Sequence, residues 1–196
     1  MKITFLSLLL IFSISNATSQ VNNEHLNIGD IAPQIVGVDQ FNTTIDSEIL
    51  LKNKEILLVF YRGNWCPYCK KHLVSLQENL NELVKKGIYV IVVTPERVDK
   101  IKETTAKFKS TFSIIHDSDN TIMNNYKVAF EVNKSNVSNY FEFTLKKVRD
   151  YNESENDVLP VPATYMIDKS GKISYVHYSA DYSKRSNFSE LLAKLY

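Results

Sequence analysis

The first pattern along the chain is a set of short, continuous apolar runs. Residues 55–61 (EILLVFY), 88–94 (IYVIVVT) and 112–117 (FSIIHD) are the clearest examples. Runs of this length predict strands that are buried on both faces, as in a parallel sheet. A fourth run, 163–168 (ATYMID), is followed by the tight turn KSG and then by 172–179 (KISYVHYS), which predicts a hairpin.

The second pattern is an apolar spacing of three to four residues, which is typical of amphipathic helices. It begins after Pro67, a residue that the first turn of a helix tolerates, and it continues to about Lys86. The charged segment 96–109 predicts a second, exposed helix, and the run 188–196 (FSELLAKLY) predicts a terminal helix.

Helices that alternate with buried strands predict an α/β domain in which helices cover both faces of a central sheet. The hairpin makes that sheet mixed. The expected domain spans residues 28–196, with extra segments at 29–50 and 118–158. Residues 127–158 are polar and aromatic without a clear period, apart from a candidate helix in YFEFTLKKV.

Composition and charge narrow the range of functions. The chain has 196 residues, of which 44% are hydrophobic and 23% are charged. This balance is typical of a globular protein with a buried core. The formal net charge is +1, so charge gives no indication of nucleic-acid binding or of an acidic partner surface.

The N-terminus differs from the rest of the chain. One early lysine precedes an apolar run at 3–14, and the small residues SNA follow at 15–17. This pattern is typical of a cleaved signal peptide over residues 1–17, and the run is shorter than the ~20 residues of a membrane span. We expect an exported protein, periplasmic or secreted, without stable membrane association after cleavage. An uncleaved anchor and a buried first helix are the alternatives.

The two cysteines of the chain, Cys66 and Cys69, lie in the stretch FYRGNWCPYCKKHL at 60–73. Two cysteines in an exported protein often form a structural disulfide, but a loop this short would constrain little. Zinc needs four ligands, and the four histidines lack the paired spacing of a zinc finger. Inert buried thiols are a further alternative. The position at a strand-to-helix junction favours a redox centre over all three.

A helix that begins near Pro67 directs unpaired backbone N–H groups and the positive end of its dipole at its first residues. This environment favours thiolate, and the pKa of C-x-x-C thiols at helix starts falls to roughly 7 or lower. Lys70, Lys71 and Arg62 add positive charge nearby. Attack by one thiolate and resolution by the other thiol complete a dithiol/disulfide cycle.

Several stretches resemble a known family. NWCPYCK looks like the W-C-x-x-C-K motif of the thioredoxin fold, and LPVPATYMIDKSGKI (159–173) resembles the cis-proline loop and following hairpin of that superfamily. FYRGNWCPYC (60–69), GDIAP (29–33) and YVHYSADYSKR (175–185) are closer still to the peroxiredoxin-like branch of the alkyl hydroperoxide reductase/thiol-specific antioxidant family. The resemblance covers roughly residues 28–196.

The resemblance implies a thioredoxin-like fold with an N-terminal extension and with an insertion before the cis-proline loop. It implies a cis peptide bond between Val161 and Pro162, whose loop would dock the substrate beside the dithiol. Trp65 and Arg62 join these two residues as candidate substrate-binding positions, although Trp65 is equally compatible with covering the core.

The motif also departs from the family. Laid over the pattern P-x-x-x-T-x-x-C, Arg62 replaces the proline, Cys66 replaces the threonine, and Cys69 falls on the peroxidatic cysteine. In the family, the threonine hydroxyl and a distant arginine bind the peroxide. Arg185 and Arg149 are the candidates for that arginine here.

The implied function is that of an antioxidant thiol oxidoreductase that reduces hydroperoxides and is recycled by a thioredoxin-type dithiol donor. Cys69 would attack the peroxide, and Cys66 would resolve the product. A protein disulfide reductase that acts through Cys66 is one alternative. A binding module that keeps the fold but no activity is another. Neither a metal nor an organic cofactor is implied.

Two further residues receive expectations from their surroundings in the sequence. His72 lies one turn beyond Cys69 among lysines, so we expect it on a solvated helix face rather than in a role that tunes the thiols. Glu96 follows the second apolar run. A helix-start acid is its expected role, and a proton shuttle is the alternative.

Overall fold

The computed structural model describes residues 25–133, 140–152 and 157–195. Its strands are β1 Val36–Val38, β2 Thr44–Asp46, β3 Glu55–Phe60, β4 Ile88–Thr94, β5 Ser113–His116, β6 Ala129–Glu131, β7 Val158–Pro160, β8 Ala163–Ile167 and β9 Ile173–Tyr178. Its helices are α1 Ser47–Leu51, α2 Pro67–Lys85, α3 Val98–Phe108, α4 Thr121–Asn125, α5 Phe141–Tyr151 and α6 Phe188–Lys194.

The central sheet has the strand order β5-β4-β3-β8-β9. Strands β3, β4 and β5 are parallel, whereas β8 runs antiparallel to β3 and pairs with β9 as a hairpin. The predicted mixed α/β sheet is therefore confirmed. The parallel strands are buried on both faces, which explains why their sequences read as continuous apolar runs.

Two apolar cores cover the two faces of the sheet. One core joins α2, α3 and α6 to alternate residues of β3 and β4, and it includes both cysteines. The other joins α4 and the segments around β1 and β2 to the remaining residues of the same strands. Because successive strand residues point to opposite faces, each central strand contributes to both cores.

The segment between β5 and β8 contains the predicted helix α5, together with two strands that the sequence pattern did not predict. Strands β6 and β7 form a separate antiparallel pair. A small core of Val132, Val148 and Leu159 joins them to α5, and Trp65 of the cysteine loop packs against this core. The insertion therefore lies against one side of the loop that carries the dithiol.

The expected signal peptide, residues 1–17, lies outside the described residues. Among the described helices, none combines the length and the apolar character that a membrane crossing requires.

Candidate active site

The dithiol lies where the carboxyl end of β3 meets the start of α2. Cys66 is the N-cap of α2, with φ −83° and ψ 119°, and Pro67 occupies the first turn. The Cys66 N–H donates to the Gly63 carbonyl at 3.0 Å, which closes the turn before the helix. Both cysteines are free thiols with little exposure, 2% for Cys66 and 0% for Cys69. The short disulfide loop between them therefore stays a prediction.

The two thiols have different acidities. The Cys69 thiol donates a hydrogen bond to the Cys66 sulfur, and this is the largest cause that lowers the pKa of Cys66 to about 6. The backbone N–H of Cys69 and the charges of Arg62 and Arg185 act in the same direction. Complete burial, followed by the hydrogen bond to Cys66, raises the pKa of Cys69 well above its usual value. Cys66 is thus the more acidic of the two thiols.

Arg185 is the candidate arginine that lies at the dithiol. Its Nη2 lies 3.3 Å from Cys69 Sγ, while its Nη1 donates to the carbonyls of Tyr182 and Lys184 at 2.5 and 2.7 Å. Arg149, the other candidate, is exposed on α5 and pairs with Asp157 at 3.0 Å. The structure therefore brings Arg185 to the dithiol and leaves Arg149 on the surface.

Arg62 is a second guanidinium in the site. It is only 5% exposed, and it lies over the rings of Trp65 and Tyr182, at 5.2 and 5.4 Å from their centroids. Burial lowers the pKa of Arg62, whereas the charges of Cys66 and Cys69 partly restore it. Two arginines thus face the dithiol.

Trp65 packs against both the site and the insertion, and its role in substrate binding stays a prediction. It covers Arg62 at the site, and its ring meets Phe143 of α5 edge-on at 6.4 Å. The turn beneath it needs glycine, because a Cβ on Gly63 would lie 2.3 Å from Trp65 Nε1 and the φ of Gly63 is +153°.

Glu96 is not a helix-start acid, so that expectation was wrong: α3 begins at Val98, and Glu96 lies before its N-cap, Arg97. Its side chain is fully buried, and it accepts hydrogen bonds from the Tyr61 hydroxyl at 2.7 Å and the Asn64 N–H at 2.6 Å. Burial raises the pKa of Glu96 to about 7, and the charge of Cys69 acts in the same direction. The carboxylate anchors the loop that leads to the dithiol, at the end of the neighbouring strand β4.

His72 is not on a solvated face, so that expectation was wrong as well. The ring is 5% exposed, its Nε2 lies 3.0 Å from Ser186 Oγ, and it stacks on Phe188 with centroids 4.6 Å apart. The lysines beside it in the sequence point elsewhere, because successive helix positions face different directions. Burial, and then the charge of Arg185, lower the pKa of His72 to about 3. The imidazole is therefore neutral.

The expected cis bond between Val161 and Pro162 is also wrong, because this bond is trans. The Val161 N–H donates to the Val128 carbonyl at 2.7 Å, which continues the pairing of β6 with β7. The chain therefore passes in an extended form from β7 into β8. Trans is the preferred state of an X–Pro bond.

The two residues of that loop still lie near the correct edge of the sheet. Ala163 pairs with Phe60 at the end of β3, so Pro162 lies level with the start of the cysteine loop. The trans bond gives no basis for substrate docking on a cis-proline loop, and the roles of Val161 and Pro162 in substrate binding stay predictions.

Sequence reasoning thus found five residues that the structure brings together: Cys66, Cys69, Arg62, Trp65 and Arg185. It expected other roles for Glu96 and His72, and it missed the contributions of Tyr61, Asn64, Tyr182 and Ser186. For Glu96, one signal was available. Glu96 comes two residues after the end of β4, and the carboxyl ends of the parallel strands β3 and β4 lie at the same edge of the sheet. An acidic residue at this position is therefore expected near the loop that follows β3. For Ser186 and Tyr182 the sequence offers no comparable signal.

Comparisons with known proteins identify the family of the chain. Residues 28–176 match the model of the AhpC/TSA family. A Bcp-type peroxiredoxin of Coxiella burnetii is 25% identical over 126 residues, which are 64% of this chain and 72% of that protein. A chloroplastic peroxiredoxin Q of Triticum aestivum is 23% identical over 164 residues, which are 84% of this chain and 64% of that protein.

A solved structure supports the fold. The peroxidoxin BcpB of Mycobacterium tuberculosis superposes with a TM-score of 0.68 at 17% identity, covering 87% of this chain and 97% of that one. The thioredoxin-like fold that the sequence motifs implied is therefore confirmed.

Proposed function

The chain belongs to the AhpC/TSA family and is an oxidoreductase of its peroxiredoxin branch; from this premise we propose that Cys69 attacks a hydroperoxide and that Cys66 resolves the product. The contact between Arg185 Nη2 and Cys69 Sγ carries this proposal. A guanidinium beside the sulfur stabilises a thiolate there and can donate hydrogen bonds to the peroxide oxygens.

Cys69 becomes the thiolate when its proton moves along the hydrogen bond to Cys66. The sulfur of Cys69 then bonds to the terminal peroxide oxygen, the O–O bond breaks, and the leaving alkoxide takes the proton from Cys66. Cys69 is now a sulfenic acid. The Cys66 thiolate attacks its sulfur, hydroxide leaves and takes a proton from solvent, and a disulfide remains. Two thiol electrons have reduced the peroxide to an alcohol and water.

A thioredoxin-type dithiol is the proposed reductant of this disulfide. Its thiolate would attack one sulfur, form a mixed disulfide and release the other sulfur as a thiol. Cys66 is the sulfur we assign to this step, because it lies at the helix start and retains slight exposure.

The low pKa of Cys66 supports a second candidate function. A Cys66 thiolate at neutral pH is suited to direct attack on a protein disulfide. In that case the protein would act as a disulfide reductase, and Arg185 would stabilise Cys69 as the leaving or resolving sulfur.

The test compares the two substrates on the reduced protein in a stopped-flow instrument. The single tryptophan, Trp65, lies in the cysteine loop and reports oxidation by its fluorescence. We expect a second-order reaction with hydrogen peroxide that is far faster than that of free cysteine. Fast reaction with a protein disulfide and slow reaction with peroxide would instead favour the reductase. Turnover of neither substrate would favour a non-catalytic binding module.

We also propose that the protein is exported, with cleavage near Ala17, because residues 1–17 have the pattern of a signal peptide. The intact mass of the protein recovered from its native compartment tests this. A membrane-bound species that retains residues 1–17 would show an anchor in its place.

A further inference from the structure

We propose that Ser186 is a positioning residue that holds Arg185 on the Cys69 sulfur through a buried hydrogen-bond hub with His72 and Thr164. This inference rests on the proposed function, because it explains how the arginine of that reaction is kept in place. It concerns residues outside the C-x-x-C motif.

The hub joins three separate elements. Ser186 Oγ lies 3.0 Å from His72 Nε2 of α2 and 2.9 Å from Thr164 Oγ1 of β8. All three side chains are buried. The neutral imidazole is either a donor or an acceptor at Nε2, depending on its tautomer. In either case the Ser186 hydroxyl can donate one of its two hydrogen bonds and accept the other. Ser186 thereby ties the loop after β9 to the helix of the cysteines and to the central sheet.

Arg185 is the residue directly before this tie. Its guanidinium is held by the carbonyls of Tyr182 and Lys184 within the same loop, so the charge moves with the loop. These contacts within the loop do not fix its distance from α2. The hub fixes that distance at the residue after Arg185, because His72 lies one helical turn beyond Cys69 on the same helix. At the other end of the loop, the ring of Tyr182 meets Tyr68 of α2 edge-on at 5.8 Å.

The same histidine also contacts the start of α6. The Nδ1 atom of His72 has no hydrogen-bond partner among the described residues, which costs free energy. Its ring stacks on Phe188, the first residue of α6. His72 thus holds both the residue that follows Arg185 and the start of α6, and the loop between β9 and α6 is fixed at its C-terminal end.

The test is a double-mutant cycle with a matched control. Ser186→Ala and Ser189→Ala are each made in the wild-type and in the Arg185→Met backgrounds. Ser189 is a suitable control because its hydroxyl also links α6 to α2, donating to Asn79 Oδ1 at 3.3 Å, but on the exposed surface. Two quantities are measured: the rate constant with hydrogen peroxide, and thiolate absorbance at 240 nm against pH.

We expect Ser186→Ala to lower the peroxide rate constant by about tenfold when Arg185 is present, because small misplacements of a reacting group have large effects on rate. In the Arg185→Met background the same change should alter the rate by less than about twofold, because the two residues then act on one event. The thiolate titration should move to higher pH only when Arg185 is present. Ser189→Ala should change neither quantity in either background.

An equal loss of rate in both backgrounds would overturn the proposal, and so would no loss in the wild-type background. Thr164→Val is the second variant, since it removes one hydroxyl with little change of shape, and it should show the same dependence on Arg185. If Arg185→Met itself reacts with peroxide at the wild-type rate, the proposed function fails at its arginine. The shift of the thiolate titration still decides separately whether Ser186 holds Arg185 at the sulfur.

Discussion

Arg185 Nη2 lies 3.3 Å from Cys69 Sγ, although 116 positions separate the two residues in the chain. This contact gives the second cysteine of the motif a cationic partner in addition to the helix that carries it. The thiolate form of Cys66 is stabilised chiefly by a hydrogen bond from Cys69, which lowers the pKa of Cys66. The two thiols are thus unequal in the reduced protein.

The contact predicts that Arg185→Ala lowers the rate constant for peroxide reduction by about a hundredfold, the usual effect of losing one preorganised donor at a reacting centre. Stopped-flow fluorescence of Trp65 measures it. Arg149→Ala is the control, because Arg149 pairs with Asp157 on the surface, and it should react at the wild-type rate. A loss in the Arg149 variant without a loss in the Arg185 variant would contradict the assignment.

The inequality of the thiols predicts different behaviour of the two serine variants. Cys66→Ser should consume about one equivalent of peroxide and stall as a sulfenic acid on Cys69, which dimedone traps for mass spectrometry. Cys69→Ser should barely react with peroxide, yet it should form a mixed disulfide with a dithiol partner through Cys66. The reverse result would make Cys66 the attacking sulfur and favour the disulfide reductase.

Arg62 predicts a change in the ionisation of Cys66. Arg62→Gln removes a buried charge that lowers the pKa of Cys66, so this pKa should rise from about 6 toward its ordinary value. Thiolate absorbance at 240 nm across the pH range detects the shift. Lys71→Gln is the control, because Lys71 is exposed on α2 and its charge is screened by solvent. Equal shifts in the two variants would show that Arg62 has no special role.

Glu96 predicts a dependence of stability on pH. Its pKa of about 7 in the folded protein exceeds the ordinary value of 4.5, so the folded state holds a proton that the unfolded state has released. This contribution is fully present below pH 4.5 and is lost as the pH rises through 7. The free energy of unfolding should therefore fall across this window by about 3 kcal/mol more than in Glu96→Gln.

Chemical denaturation of the reduced protein at a series of pH values measures this difference. Glu82→Gln is the control, because Glu82 is exposed and pairs with Lys85 on the surface of α2, where such pairs contribute little. A Glu96→Gln variant with the wild-type pH profile would mean that the carboxylate titrates normally.

Local sequence patterns were sufficient for the elements that position the dithiol. The run 88–94 predicted β4 with its observed bounds, and the period after Pro67 predicted α2 to within one residue at its end. In contrast, β6 and β7 were not predicted. They are three residues each and are stabilised by pairing with one another and by contact with α5, so neither has a period long enough to identify.

The sequence by itself determined the strand-to-helix junction, the place of both cysteines on it and the family to which the chain belongs. These features depend on neighbouring residues, since the apolar spacing and the helix start are local properties. The tertiary structure alone decided the surroundings of the sulfurs. Glu96 reaches Asn64 across 32 positions, and His72 reaches Ser186 across 114. Contacts of this kind depend on which strands pair and on which helix faces meet, so no local pattern distinguishes these residues from solvated ones.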